Sequence, residues 1–446
     1  MEVQGFADGR FGPVRQCFAE IADAQPGTGA AFAVWCDGRL VVDLWGGYAD
    51  QERRRRWEAG SLVQPYSVSK PFAAVCALRL VEAGRLDLDA PVRRYWPEFQ
   101  APATVRHVLS HQAGVVVLDR PVPAEAFYDW DWLCTLLAAQ RPAWQPGTAH
   151  GESALFYGHL VGELVRRVDG RGIGQFLREE ICGPRGLDFA FGLNLGQQAR
   201  AVHLTGLDDT FRAAAAAGRP PLYQQAIANP PGALDGAVVN SAAWRSAEIP
   251  AINGHGTAAA VAGFYHALAT GGLLSPGVLA EAVTAQCAGP DRIFGDHTAW
   301  GLGFGVDEDG YGMGGLGGSY GGTSTAGGYT IGFVTGSAGS HDRLDKLEST
   351  LRDCLGLAPL ALPGPAHDQQ VAGRRQFDQA AAGPGRDRRE RRARPVAGDD
   401  AALGQQDLLR AQAALAVLEV DERQQVFPGR HGAGPVAGQV VADDLA

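Results

Sequence analysis

From Phe11 onward the apolar residues Val14, Phe18 and Ile21 fall at helical spacing, so the chain opens with an amphipathic helix. A hairpin follows. Ala31 to Cys36 and Leu40 to Trp45 are runs of strand-forming residues separated by Asp37-Gly38, a dipeptide that tolerates the positive φ angles of a tight turn. Two helical stretches then stand out: Ser67 to Ala83, closed by Gly84, and Leu155 to Val168, closed by Gly170. Helical spacing returns at Thr257 to Leu268 and Val278 to Cys287, strand-like runs at Trp300 to Val306 and Tyr329 to Thr335, and a last helix at His341 to Leu355. Strands near both ends with helices between them predict an α+β protein. Its sheet part covers about residues 1–65 and 295–360, and a helical part over about 66–294 is inserted between them.

Beyond residue 360 the pattern stops. Residues 361–446 hold no Trp, Tyr, Cys or Lys, have Phe377 and Phe427 as their aromatics, and carry the arginine-dense run Arg386 to Arg394. Such a segment cannot bury enough apolar surface to offset its ordering entropy, so it is expected to be a disordered, low-complexity tail.

The chain has 446 residues, 46% of them hydrophobic, enough to bury a large core. The opening stretch MEVQGFADGRFG has neither a basic nor an apolar region of the kind an export signal needs. No run approaches the length of a membrane span. The 7 cysteines are odd in number, scattered and never in C-x-x-C pairs, which suits reduced thiols and a cytoplasmic location. A formal net charge of -10 argues against nucleic acid as a partner. Nothing in the pattern fixes an oligomeric state.

Lysine and arginine total 39, yet lysine occurs only at Lys70 and Lys346. Arginine serves a surface charge at least as well but cannot give up its proton, whereas a desolvated lysine can, so a lysine kept at position 70 hints at base chemistry. Ser67-Val68-Ser69-Lys70 is an S-x-x-K motif. Pro71 would clash with the carbonyl of residue 67 inside a helix, so the helix begins near Ser67 and places it on the first turn. Three residues apart, Ser67 and Lys70 share a face, and the helix N-terminus favours developing negative charge. A serine hydroxyl attacks poorly until a base takes its proton, and lysine can do so once burial lowers its pKa. A serine three residues before a lysine is common by chance. The helix start and the scarcity of lysine are what give this one meaning.

Tyr66-Ser-Val-Ser-Lys-Pro-Phe72, Gly84-Arg-Leu-Asp-Leu-Asp-Ala-Pro91, Tyr95-Trp-Pro-Glu-Phe99 and Val105-Arg-His-Val-Leu-Ser-His-Gln-Ala-Gly114 follow one another along the chain. Together with Trp144-Gln-Pro-Gly-Thr148 and Gly162-Glu-Leu-Val165, they resemble the class C β-lactamase and family VIII carboxylesterase group over about residues 10–358. The resemblance implies a β-lactamase/transpeptidase-like fold with the site between a sheet part and a helical part. It implies Ser67 as nucleophile, Lys70 as base, and the N–H groups of Ser67 and Leu316 as oxyanion donors.

Two functional positions depart from the family pattern. Where the family carries a proton-shuttling tyrosine, the chain reads His150-Gly151-Glu152, so Glu152 is the candidate proton carrier, with Tyr157 on the next turn as the second. Where it carries K-T-G or H-G-G, the chain reads Met313-Gly314-Gly315-Leu316. Methionine cannot anchor a substrate carboxylate, while Gly314 and Gly315 allow close approach of backbone.

Gly317-Gly-Ser-Tyr-Gly321 matches the G-x-S-x-G elbow, but no strand-turn-helix context surrounds Ser319. His107, His111 and His150 lack a metal-binding spacing, and His111 is expected to pack beside the site. His255 is expected to cap a helix or line the pocket, and Phe127, Tyr128, Trp130 and Trp144 could form an aromatic wall. The reading is a serine hydrolase acting on small carboxylic esters through an acyl-enzyme on Ser67, with His150, Tyr157, Gly314, Gly315 and Leu316 around the substrate and no metal or cofactor. The alternatives are a non-catalytic binding or scaffold protein of the same fold, or a weak β-lactamase or D-aminopeptidase acting on an amide.

Overall fold

The computed structural model describes residues 2–24 and 28–360. The expectation for 361–446 lies outside the described residues. The strands in chain order are β1 (Val3–Ala7), β2 (Ala30–Cys36), β3 (Arg39–Gly46), β4 (Phe189–Ala190), β5 (His255–Gly256), β6 (Cys287–Pro290), β7 (His297–Trp300), β8 (Gly305–Val306), β9 (Gly310–Gly314), β10 (Tyr320–Ser324) and β11 (Tyr329–Thr335). Nine of them form one sheet in the order β1-β3-β2-β11-β10-β9-β8-β7-β6, antiparallel throughout. The join between β2 and β11, with Phe32 opposite Phe333, brings the two ends of the domain together. The remaining two strands, β4 and β5, pair with each other.

Alternation along β2 explains how the sheet is sandwiched. Phe32 and Val34 face a core made with Val14, Phe18, Leu344 and Leu347 from the helices Gly12–Ala24 and Asp342–Leu355. Ala31 and Ala33 face the opposite core, shared with Val261 and Phe264 of the helix Ala258–Ala269. That second helix lies unusually close to the sheet. A Cβ at Gly332 would stand 2.4 Å from the Ala258 carbonyl oxygen, so only glycine permits the approach.

The Asp37-Gly38 turn has φ of 53° and 74°, as a tight hairpin needs. Three helices run close to expectation: Tyr157–Asp169 with Gly170 at φ 95°, Ala258–Ala269 capped by the Thr257 side chain, and Asp342–Leu355. The helix expected up to Cys287 ends at Ala282, and Cys287 instead opens β6, so the second part of the sheet starts before residue 295.

Candidate active site

The helix Ser69–Glu82 is buried on every side from Ser69 to Leu78, as a helix through the middle of a domain must be. Phe72 stacks between Phe189 and Phe264, with ring centroids 3.7 and 3.9 Å away, and the Ser69 hydroxyl accepts from the Gly254 N–H. These contacts fix the first turn. Ser67 sits just ahead of it in a 3-10 turn, Tyr66–Val68, where the Pro71 argument put the helix start. Tyr66 itself has φ of 51°, a conformation a bulky residue adopts only when its surroundings impose it. Its hydroxyl donates to the Ala233 carbonyl (3.1 Å) and its ring is buried, which holds the turn bent and presents Ser67.

Lys70 Nζ donates to Ser67 Oγ (2.8 Å) and to the carbonyl oxygens of Ala154 (3.1 Å) and Ala251 (3.2 Å). It also lies 2.8 Å from Glu152 Oε1, and both side chains are 0% exposed. Ser67 Oγ in turn donates to the same Glu152 Oε1 (3.0 Å). Burial pushes the pKa of Lys70 down, and the charge and hydrogen bond of Glu152 oppose that fall.

Three features outside the motif hold this triangle. A Cβ at Gly158 would stand 2.3 Å from the Ala251 nitrogen, so glycine there lets the 250–251 loop reach Lys70. Asn253, fully buried, accepts from Ile249 N–H and donates to the carbonyls of Trp244 and Ala247, which shapes that loop. Asp291 Oδ2 accepts from the Glu152 N–H (2.9 Å), while its Oδ1 accepts from Ile293 and Phe294 (2.8 and 2.9 Å). Burial raises the Asp291 pKa to about 7; the Phe294, Ile293 and Glu152 N–H groups pull it down and the Glu152 charge adds to the rise.

On the other side of Ser67, β9 ends at Gly314. A Cβ at Gly315 would stand 2.0 Å from the Pro65 carbonyl oxygen, so the glycine allows the strand end to press against the residue before the Tyr66–Val68 turn. Leu316 follows, and its N–H makes no backbone hydrogen bond among the described residues. Beside it opens a cleft lined by Gln64, Tyr66, Leu204, Leu207, Leu316 and Ser319 among others; Ser67, Lys70 and Glu152 are not part of its lining. A further apolar wall of Val116, Val117, Tyr223, Ile293 and Phe294 packs with Ala154 and, at its edge, with Trp144 and Leu316.

The other expected residues divide. The Tyr157 hydroxyl donates to the Leu109 carbonyl (3.1 Å) and its ring lies against His111, with no hydrogen bond to Ser67 or Lys70. His150 Nε2 is 2.9 Å from Thr298 Oγ1, away from the triangle. His111 Nδ1 accepts from the Ser153 N–H, and burial with Lys70 and His150 nearby holds its pKa well below the usual range, so it stays neutral. His107 belongs to the capping box of the helix Val105–Leu109. His255 caps nothing: Nδ1 is 2.7 Å from the Asn253 carbonyl, and Thr257 is the cap. Nor is there an aromatic wall of four. Phe127 packs on Trp244, Trp130 donates to Glu163, Tyr128 is exposed, and Trp144 alone reaches the site's apolar wall. Ser319 Oγ accepts from the Thr335 N–H (3.2 Å), and His341 Nε2 stands 3.3 Å from the Ser319 carbonyl oxygen. Among the described residues no group of three or more His, Cys, Asp or Glu is placed to hold a metal, and no helix is long and apolar enough to cross a membrane.

A mixed domain built on this antiparallel sheet, with a serine and a lysine meeting at the start of a central helix, has the β-lactamase/transpeptidase-like fold. The beta-lactamase family pattern matches residues 14–353, and the chain belongs to that family. The chain is 33% identical over 380 residues to the esterase/beta-lactamase LipL of Mycobacterium tuberculosis, covering 77% of this chain and 83% of that one. A crystal structure of a family VIII carboxylesterase superposes with a TM-score of 0.73 at 33% identity, over 79% of this chain and 100% of the other. A penicillin-binding protein homolog from Caulobacter crescentus gives 0.71 at 32% identity, over 79% and 100%.

Proposed function

We propose that the protein is a serine hydrolase of small carboxylic esters, and that the hydrogen bonds joining Ser67, Lys70 and Glu152 in one buried triangle carry this reading. Ser67 Oγ attacks the ester carbonyl. Its proton passes first to Glu152 Oε1, the atom it already donates to, while the ammonium of Lys70 makes the hydroxyl easier to deprotonate. Lys70 and Glu152 therefore act as one acid–base pair rather than Lys70 as a lone base. The tetrahedral oxyanion is held by the N–H groups of Ser67 and Leu316, which the Gly315–Pro65 contact keeps close. Water then releases the acyl group through the same pair.

Esters are favoured over β-lactams by two observations. Met313, where the family pattern carries K-T-G or H-G-G, offers no charge for a carboxylate. The buried cluster that packs with Ala154 and Leu316 is apolar. The names of the matched relatives, an esterase/beta-lactamase and a family VIII carboxylesterase, support a serine hydrolase that takes esters. The 7 unpaired cysteines support a reducing compartment. The test is turnover of p-nitrophenyl butyrate beside a chromogenic cephalosporin. Ester hydrolysis well above cephalosporin hydrolysis, both lost in Ser67→Ala, is expected; the reverse preference would contradict the ester assignment.

A further inference from the structure

Tyr223, on the helix Pro221–Ala228, is 2% exposed, and its hydroxyl has no hydrogen-bond partner among the described residues. Leaving a buried donor unpaired costs about 1–3 kcal/mol, so such a group calls for an explanation. Its surroundings supply one. Tyr223 packs in the cluster that contains Ala154, whose carbonyl accepts from Lys70, and that meets Leu316 beyond the end of β9. The ring stands edge-on to Phe294, with centroids 5.5 Å apart. Phe294 N–H donates to the same Asp291 carboxyl that accepts from Glu152, so one loop fixes both Tyr223 and Glu152. Glu152 Oε2 is likewise buried without a partner. A donor on Tyr223 and an acceptor on Glu152 are thus both left unsatisfied beside the loop that holds Glu152 against Ser67 and Lys70.

We infer that Tyr223 gives the proton to the departing alcohol of the ester, a role that rests on the acyl transfer to Ser67 proposed above. In that step the Ser67 Oγ–carbon bond forms and the carbon–oxygen bond to the alcohol breaks. The Ser67 proton goes to Glu152, and the Tyr223 proton goes to the leaving oxygen, so a neutral alcohol departs. The phenolate then recovers its proton from the Lys70–Glu152 pair, and the site returns to its starting charge with the acyl group on Ser67.

Burial pushes the Tyr223 pKa up to about 12; Arg219 pulls it down and the Glu152 charge adds to the rise. So weak an acid surrenders its proton only to a strong base. An alkoxide is one, and p-nitrophenolate is not. The requirement for Tyr223 should therefore follow the leaving group.

Tyr223→Phe keeps the ring and removes the hydroxyl. It should lower kcat/KM for ethyl butyrate by about 100-fold, the lower scale of a general acid, while p-nitrophenyl butyrate is hydrolysed at nearly the wild-type rate. A packing role would move both esters alike, so an equal change on the two, or no change on either, overturns the inference. Labelling of Ser67 by a fluorophosphonate in Tyr223→Phe shows that the variant is folded. A wild-type protein that neither labels nor hydrolyses either ester would instead overturn the serine hydrolase reading beneath it.

Discussion

Glu152 Oε1 stands 2.8 Å from Lys70 Nζ and 3.0 Å from Ser67 Oγ, so one carboxylate oxygen touches both the cation and the nucleophile. If that oxygen is the first proton acceptor, Glu152→Gln should lower kcat by roughly 100- to 10,000-fold with little change in KM. The pH profile should move too. Glu152 is what raises the Lys70 pKa against burial, so removing its charge leaves burial unopposed and shifts the alkaline limb to lower pH. An unchanged kcat with an unchanged limb would contradict the pair.

The same contact makes a stability prediction. Lys70→Met strands Glu152 as a fully buried carboxylate without its cation, which should cost about 3–5 kcal/mol. Lys70→Met combined with Glu152→Gln removes both charges and should recover much of the lost melting temperature. A double variant no more stable than the sum of the two single losses would show that the pair is not coupled.

Gly315 links the end of β9 to Leu316, a proposed oxyanion donor. In Gly315→Ala the new Cβ would meet the Pro65 carbonyl at 2.0 Å, and backbone must give way on one side. Leu316 should then move away from Ser67, with kcat falling by about 100-fold, the scale for loss of one oxyanion donor. Wild-type kcat in this variant would remove Leu316 from the site.

Asp291 predicts a pH-dependent stability. Its pKa is about 7 in the fold against an ordinary 3.8, so between these values the native protein binds more protons than the unfolded chain. Its contribution is complete below pH 3.8 and is lost as pH rises through about 7. The melting temperature of wild type minus that of Asp291→Asn should therefore shrink from pH 4 to pH 8. A constant or widening gap would contradict this.

What could be read from the chain depended on whether the signal was local. The hairpin at Asp37-Gly38, the helix start at Pro71 and the Thr257 to Leu268 helix follow from neighbours in sequence, and each lies where the pattern put it. Strands β9 and β10 escaped because GYGMG and YGGTS hold few strand-formers. Their glycines answer to tertiary contacts, Gly321 against Val261 and Gly310 against the Thr323 carbonyl, which no short window reveals. At the site, Ser67 and Lys70 were legible because a helical turn joins them. The hold on Glu152 by Asp291 spans 139 positions, and Ala251 reaches Lys70 across 181, so neither left a local trace. Tyr223 was hidden for the same reason, and the left-handed Tyr66 could not be foreseen from a residue that normally avoids that conformation.

Peptide mass mapping after reaction with a fluorophosphonate reads which residue is the nucleophile of the acyl-transfer site. One adduct on Ser67, absent in Ser67→Ala and undiminished in Ser319→Ala, is the predicted result. No adduct, as for a non-catalytic scaffold, or an adduct on Ser319, would contradict it.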